Sequence, residues 1–439
     1  MDRRTIGAGL ALIAAFLLIY LPDVGHGFIS DDFRWIVESR AAWPRDLVTL
    51  FGANTGFYRP LVSISFATDF AIWDSKAFGY GVTNVALALL TAGALCALSR
   101  RLGLSAGAAV VAGGVWLFNF HAVNMALLWL SGRTALLVSL FSVSTAYALV
   151  SGRSALAGLL ALLAMLSKEE AVALPALFGA YVYLSERRVR CLTRTIPLWI
   201  ALAIYLGLRM QSGAFWASDA PSYYRFAFSP ALVARNAIEY ADRAGTLAAV
   251  VIVAFAALAR VRWRDMTADD QRVLLLAGLW IAATYALTVF LPVRSSLYAL
   301  LPSVGSALAA GVVASAASRR NPQRFRVTAV AMVVLVIALN PVYRSRNVRW
   351  VRLAEFSENV MTTIARDAAT GASGHVVLID APDERFNFAS AFGALFPDAL
   401  RLRIGPGWTG EVVDSVSRAQ ERADLTYRLS NGALTRVER

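Results

Sequence analysis

The chain has 439 residues, of which 58% are apolar and only 16% charged, with a mean hydropathy of +0.56. A soluble domain carries about a quarter charged residues and a disordered chain fewer apolar ones, so both classes are excluded and most of this chain belongs in lipid. The formal charge is +13; Lys76 and Lys168 are the only lysines, and arginine supplies the other forty of the 42 basic side chains. Nucleic-acid binding would gather these arginines on one soluble face, whereas here they fall in short clusters between apolar stretches. The two cysteines, Cys96 and Cys191, exclude a disulfide scaffold.

A helix needs roughly 20 apolar residues to cross the hydrocarbon core. The pattern predicts about eleven spans: 5–22, 79–98, 104–120, 133–150, 154–167, 170–185, 195–210, 232–258, 271–291, 296–317 and 326–341. The fifth and sixth are short, and suit tilted or half-buried helices. Leu21-Pro22-Asp23 follows the first span in place of a small-residue cleavage site, so a retained first helix is expected rather than a signal peptide.

Arginine clusters test this count, because cytoplasmic loops are enriched in Lys and Arg. With Arg3 and Arg4 inside, alternation puts Arg100–Arg101, Arg153, the cluster between Arg187 and Arg194, Arg260–Arg264 and Arg319–Arg326 on the same side. A miscount of one span would scatter them onto both faces. The expected fold class is therefore an all-α polytopic membrane protein with a cytoplasmic N-terminus. Residues 1–341 form its membrane domain, with a first outer loop at 23–78, and residues 342–439 form a small α/β domain outside. That last region alternates short apolar runs, such as Val376 to Ile379, with Gly and Pro turns.

The polar residues at the outer ends of the spans are few and concentrated. Asp31-Asp32 and Tyr58-Arg59-Pro60-Leu61 lie in the first outer loop. Further along come Asn119 and His121, Ser131-Gly132-Arg133, Ser167-Lys168-Glu169-Glu170, and Arg294 with Tyr298. Adjacent carboxylates in a partly dry site push at least one pKa upward, which suits a general base that takes a proton from an attacking hydroxyl. Arg59, Arg294 and Lys168 would cradle a phosphate leaving group at headgroup level, arginine as a bidentate fork and lysine as a point charge.

Plainer roles stand beside each of these. An acidic pair in a wet loop also serves as a solvated pair or a helix N-cap, and boundary arginines also anchor to lipid headgroups. Lys168 with Glu169 also makes a local ion pair. His26 and His121 have no second His or Cys at ligand spacing, so structural hydrogen bonding is expected of them, and no metal. Trp216, Tyr223 and Tyr224 read as an interfacial aromatic belt.

The motifs Tyr58-Arg59-Pro60-Leu61, Trp129-Leu130-Ser131-Gly132-Arg133, Ser167-Lys168-Glu169 and Leu297-Tyr298-Ala299-Leu300-Leu301-Pro302-Ser303 resemble, in order and placement, the C superfamily (GT-C) of integral-membrane glycosyltransferases. Within it the chain is similar to the protein O-mannosyltransferase relatives, especially the group with tetratricopeptide repeats, and to the lipid A aminoarabinose transferases. The resemblance covers roughly residues 1–345; no such repeats follow it. It implies an inverting transfer of sugar from a polyprenyl-phosphate donor to a hydroxyl acceptor on a glycan, lipid or protein. Asp31 would be the base and Asp32 would orient the base or the acceptor. Arg59, Arg294, Lys168 and Tyr298 would contact the donor phosphate. Tyr58, His121, Arg133, Glu169 and Glu170 are further substrate-binding candidates. No cofactor is expected, and the partners are the donor, the acceptor and membrane lipid, without nucleic acid. Arginine in place of lysine suggests a GC-rich bacterial genome, so the expected location is the inner membrane with the site facing the periplasm. The competing reading is a transporter or flippase of a lipid-linked intermediate, although neither inverted repeats nor clearly interrupted spans are evident.

Overall fold

The computed structural model describes residues 3–42, 56–214, 221–368, 373–414, 423–430 and 433–437; Trp216 and part of the first outer loop lie outside them. Helix α1 (Arg3–Tyr20) opens the chain, and the first outer loop holds two more, α2 (Asp31–Ala42) and α3 (Pro60–Trp73). A bundle follows: α4 (Ala77–Arg101), α5 (Ala106–Leu117), the short α6 (Val123–Leu128), α7 (Arg133–Val150), α8 (Ser154–Ser167), α9 (Leu174–Glu186), α10 (Ile196–Gln211), α11 (Pro230–Leu258), α12 (Ala268–Tyr285), α13 (Ser303–Arg320) and α14 (Pro322–Ala338). Each of the eleven expected spans coincides with a helix. Seven among the described residues are long and apolar enough to cross a membrane, or eight if α14 is counted with the helix it bends into. The protein is thus a multi-pass membrane protein. The other four of the eleven, α5, α8, α9 and α14, have only 12, 14, 13 and 17 residues.

Helix α13 is the hub, with 94% of its span buried. Its surface is built from small residues, which let helix backbones approach closely where lipid offers no hydrophobic drive. A Cβ at Gly305 would stand 2.5 Å from the Ala277 carbonyl oxygen of α12, so any larger residue there would force the two helices apart. Helices α1, α10 and α11 are peripheral and turn apolar side chains such as Leu18, Ile200 and Val253 outward.

The arginine clusters gather at one end. Arg101 donates to Ser151 Oγ at 3.2 Å, Arg319 and Arg320 pair with Asp270 and Asp265, and the Ser105 amide donates to Ser315 Oγ at 3.2 Å. The opposite end carries the first outer loop and the C-terminal domain.

That domain begins with α15 (Asn340–Asp367), bent by 40° from α14 at Asn340-Pro341, where proline suits a first helical turn. Strands β1 (Gly374–Ile379), β2 (Trp408–Val413), β3 (Leu425–Ser430) and β4 (Ala433–Arg436) form one sheet in the order β2-β1-β3-β4. β1 runs parallel to β2 and β3, and β4 is antiparallel to β3. Val376 to Ile379 are all buried, as befits a central strand covered on both faces. Helices α16 (Phe388–Ala391) and α17 (Phe396–Arg403) complete the layer. One face of the sheet shares its core with the first outer loop: Phe33, Ile36, Val62 and Phe66 lie in one hydrophobic cluster with Val376, Phe392, Phe396 and Tyr427, while Val377, Ile379, Val413 and Ala423 form a small cluster on the other face.

Candidate active site

Asp31 opens α2, where negative charge in the first turn is favoured by the helix dipole. Successive helical residues point about 100° apart, and the two aspartates diverge accordingly. Asp31 is exposed and lines a cavity of about 300 Å³. Asp32 is fully buried: its Oδ1 accepts from the Ser131 amide at 2.7 Å and hydroxyl at 2.5 Å, and its Oδ2 accepts from the Ile29 amide at 3.1 Å. Asp32 does not line the cavity, and its lone pairs are taken up in fastening the loop to the membrane domain. It therefore makes no contact with an acceptor in the cavity, and of its two expected roles only that of orienting the neighbouring Asp31 remains.

Arg59 stands at the N-cap of α3, just before Pro60. Its guanidinium forks onto Glu169, with Nη2 to Oε1 at 2.6 Å and Nε to Oε2 at 2.9 Å, and lies 4.3 Å from the centre of the Phe57 ring. Extended backbone at Lys168 ends α8, and a short 3-10 turn, Glu169–Ala173, leads into α9. Lys168 Nζ is 2.6 Å from Glu170 Oε1 and 4.8 Å from the centre of the Tyr298 ring. The expected Lys168–Glu169 pair is thus replaced by two crossed pairs, Arg59–Glu169 and Lys168–Glu170.

Two buried indoles set the opposite wall. Trp116 Nε1 of α5 donates to the Leu300 carbonyl at 3.2 Å, and Trp280 Nε1 of α12 donates to the Leu301 carbonyl at 2.8 Å. Both fix the turn that carries Tyr298. Just upstream, Asn236 Nδ2 of α11 donates to the carbonyls of Val289 and Leu291, each at 2.9 Å, and Arg294 closes on Glu239.

Asp31, Arg59, Lys168, Arg294 and Tyr298 all line the one cavity, together with Arg34, Trp35, Trp129, Ser131, Thr134 and Tyr224. Surrounding protein raises the Asp31 pKa by desolvation, and Arg59 and Arg34 pull it back. Burial alone would raise Glu169 as well, but the Arg59 guanidinium outweighs it and holds the carboxyl at about 2. Each cavity cation already has a carboxylate partner, so an arriving anion would share these cations rather than meet bare charge. Among the described residues no group of three or more His, Cys, Asp or Glu side chains is placed to hold a metal.

Four other candidates sit elsewhere. Arg133 is wholly buried and does not reach the cavity, which corrects its place among substrate contacts. Its guanidinium meets Asp69 at 2.5 Å, Asn84 Oδ1 at 2.9 Å, the Tyr80 carbonyl at 2.9 Å and Ser65 at 3.2 Å. His121 is half-buried beside Arg346 at 3.3 Å and Asp242 at 3.9 Å. Tyr58 packs against Tyr205, with ring centres 6.1 Å apart. Glu170 reaches the cavity only through Lys168. Arg34 has a sequence signal: it lies three residues after Asp31, on the same helical face. Trp129 opens the motif that ends at Arg133, though not as a candidate of its own, and Trp35 and Thr134 have no signal, because only the tertiary fold brings them to the cavity.

No family model matches the chain, and no curated protein matches it. Among solved structures it is similar to ArnT from Cupriavidus metallidurans, both in the apo state (15% identity, 83% of this chain and 72% of that one, TM-score 0.49) and bound to undecaprenyl phosphate (14%, 82% and 72%, TM-score 0.48). It is also similar to the archaeal oligosaccharyltransferase AglB from Archaeoglobus fulgidus, in complex with an inhibitory peptide and a dolichol-phosphate (11% identity, 92% of this chain and 64% of that one, TM-score 0.49).

Proposed function

We propose that the protein is an inverting glycosyltransferase that moves a sugar from a polyprenyl-phosphate donor to a hydroxyl acceptor. One observation carries this reading: a carboxylate, Asp31, shares a cavity with Arg59, Lys168 and Arg294. Asp31 takes the acceptor proton as the hydroxyl oxygen attacks the anomeric carbon. The bond from that carbon to the phosphate oxygen breaks on the opposite side, which inverts the centre. Negative charge grows on the departing phosphate, and fixed cations aimed at it lower the barrier. Arg59 supplies a planar fork and Lys168 a point charge. Both are held by Glu169 and Glu170 before substrate arrives, so little reorganisation is needed.

In this reading the arginine-rich end faces the cytoplasm, and the cavity and C-terminal domain face the periplasm across a bacterial inner membrane. The acceptor is a glycan, a lipid or a protein. The test uses purified protein with a panel of radiolabelled polyprenyl-phosphate sugars, with product configuration read by NMR. Donor consumption with inversion supports the reading. If the panel is untouched while vesicles containing the protein move the same lipids between leaflets, the chain is a flippase instead.

A further inference from the structure

We propose that the C-terminal domain is a working part of the active site, with Ser390, Ala391 and Asp398 acting as positioning residues for the Ser30–Arg34 turn that carries Asp31. The proposal rests on reading Asp31 as the base.

Ser30, immediately before Asp31, has a φ of +47°. A serine persists in that left-handed region only where its surroundings hold it there. They do so from 360 residues away. The Ser30 amide donates to the Ala391 carbonyl at 2.7 Å, and its hydroxyl donates to the Ser390 carbonyl at 3.3 Å. Two residues past Asp31, Phe33 is buried and stacks on Phe392 with ring centres 5.8 Å apart. Arg34 then donates through Nε to Asp398 Oδ2 at 3.4 Å, while its own side chain lines the cavity beside Asp31.

The turn is therefore held from two sides. Asp32 ties it to Ser131 in the membrane domain, and Ser30, Phe33 and Arg34 tie it to the C-terminal domain. Asp31 lies between the ties. No side-chain hydrogen bond to it is formed by the described residues, which leaves its carboxylate open to a substrate hydroxyl. A base that no hydrogen bond from the described side chains locates depends on its neighbours for position, and a misplacement of about 1 Å can cost on the order of a hundredfold in rate. The domain that follows the membrane bundle thus aims the base, whatever else it binds.

The test uses the full-length protein in detergent, comparing Asp398→Ala, Asp398→Glu and, as a control on the same helix, Arg403→Ala, whose partner is Glu358 rather than Asp398. Two readouts are needed. Amide hydrogen exchange of residues 26–36 requires no turnover; Asp398→Ala should speed it by roughly tenfold or more, while Arg403→Ala leaves it unchanged. In sugar transfer, Asp398→Ala should lower kcat by roughly ten- to a hundredfold with donor KM within about twofold, and Asp398→Glu should restore much of the loss. If Asp398→Ala does not fold, Asp398→Asn replaces it at equal size. Wild-type exchange and wild-type kcat in the Asp398→Ala variant would overturn the proposal, as would an equal effect from Arg403→Ala. A wild-type protein that consumes no donor would instead overturn the transferase reading, and the exchange comparison would still decide whether the domain holds the turn.

Discussion

Lys168 Nζ lies 2.6 Å from Glu170 Oε1, and both side chains are about one-twentieth exposed. Removing one member of a buried pair leaves an uncompensated charge and typically costs about 3–5 kcal/mol, whereas replacing both by apolar groups is often neutral. Lys168→Ala should therefore unfold at a clearly lower temperature, and Lys168→Met combined with Glu170→Leu should recover most of the loss. The double variant still lacks the cation, so its donor KM should stay high. Thermal unfolding and donor kinetics on the two proteins check both halves; a double variant as unstable as the single one would contradict the pairing.

Arg294 gives the opposite pattern. Its partner Glu239 is also within 3.1 Å of Arg235 and 3.2 Å of Arg243, so Arg294→Ala leaves no stranded carboxylate. Stability should change by less than about 0.5 kcal/mol, as for ordinary surface changes. Loss of a hydrogen bond to a charged phosphate is worth about 1.5–3 kcal/mol, so donor KM should rise roughly ten- to a hundredfold. An unchanged KM would remove Arg294 from the donor site.

Asp32 makes stability depend on pH. Burial pushes its pKa up to about 7, against the pull of its hydrogen bonds from Ser131 and Ile29. Its folded value lies above the unfolded one, so between roughly pH 4 and 7 the folded state holds a proton that the unfolded state releases. That contribution is full below about pH 4 and is lost as pH rises through 7. Glu38, pushed to about 7 by burial, acts in the same direction. The unfolding temperature should fall from pH 5 to pH 8, and Asp32→Asn should flatten part of that slope; an identical slope in the variant would refute the assignment.

Arg133 belongs to the fold. Its buried pair with Asp69 is closed by Asn84, Ser65 and the Tyr80 carbonyl. Arg133→Ala should cost about 3–5 kcal/mol, and Arg133→Lys should also destabilise because lysine cannot reproduce the fork. Whatever folded protein survives should show a wild-type donor KM. A raised KM with normal stability would return Arg133 to the substrate site.

Much of this architecture was legible in the sequence because lipid imposes a simple rule: an apolar stretch of sufficient length becomes a helix. Arginine clusters then give the relative direction of each one. The Asp31, Arg59, Lys168 and Arg294 motifs were legible as boundary charges, and all four line one cavity. Partner choice was not legible. Lys168 and Glu169 are neighbours in sequence, yet extended backbone at Lys168 turns each toward a different mate. Arg133 follows a motif-like Ser131-Gly132, but Asp69, which claims it, is 64 residues earlier on another helix. The contact between Ser30 and Ala391 spans nearly the whole chain, and no local pattern announces it.

The most direct test is the rate of sugar transfer by Asp31→Asn at saturating donor, with donor affinity measured alongside. Loss of a general base costs on the order of 10² to 10⁴ in rate. Asp31→Asn should lose that much while binding donor within a few-fold of wild type. Because desolvation raises the Asp31 pKa, wild-type activity should also fall on acidification at a pH above the ordinary carboxylate range. Transfer by Asp31→Asn at the wild-type rate would contradict the account at its centre.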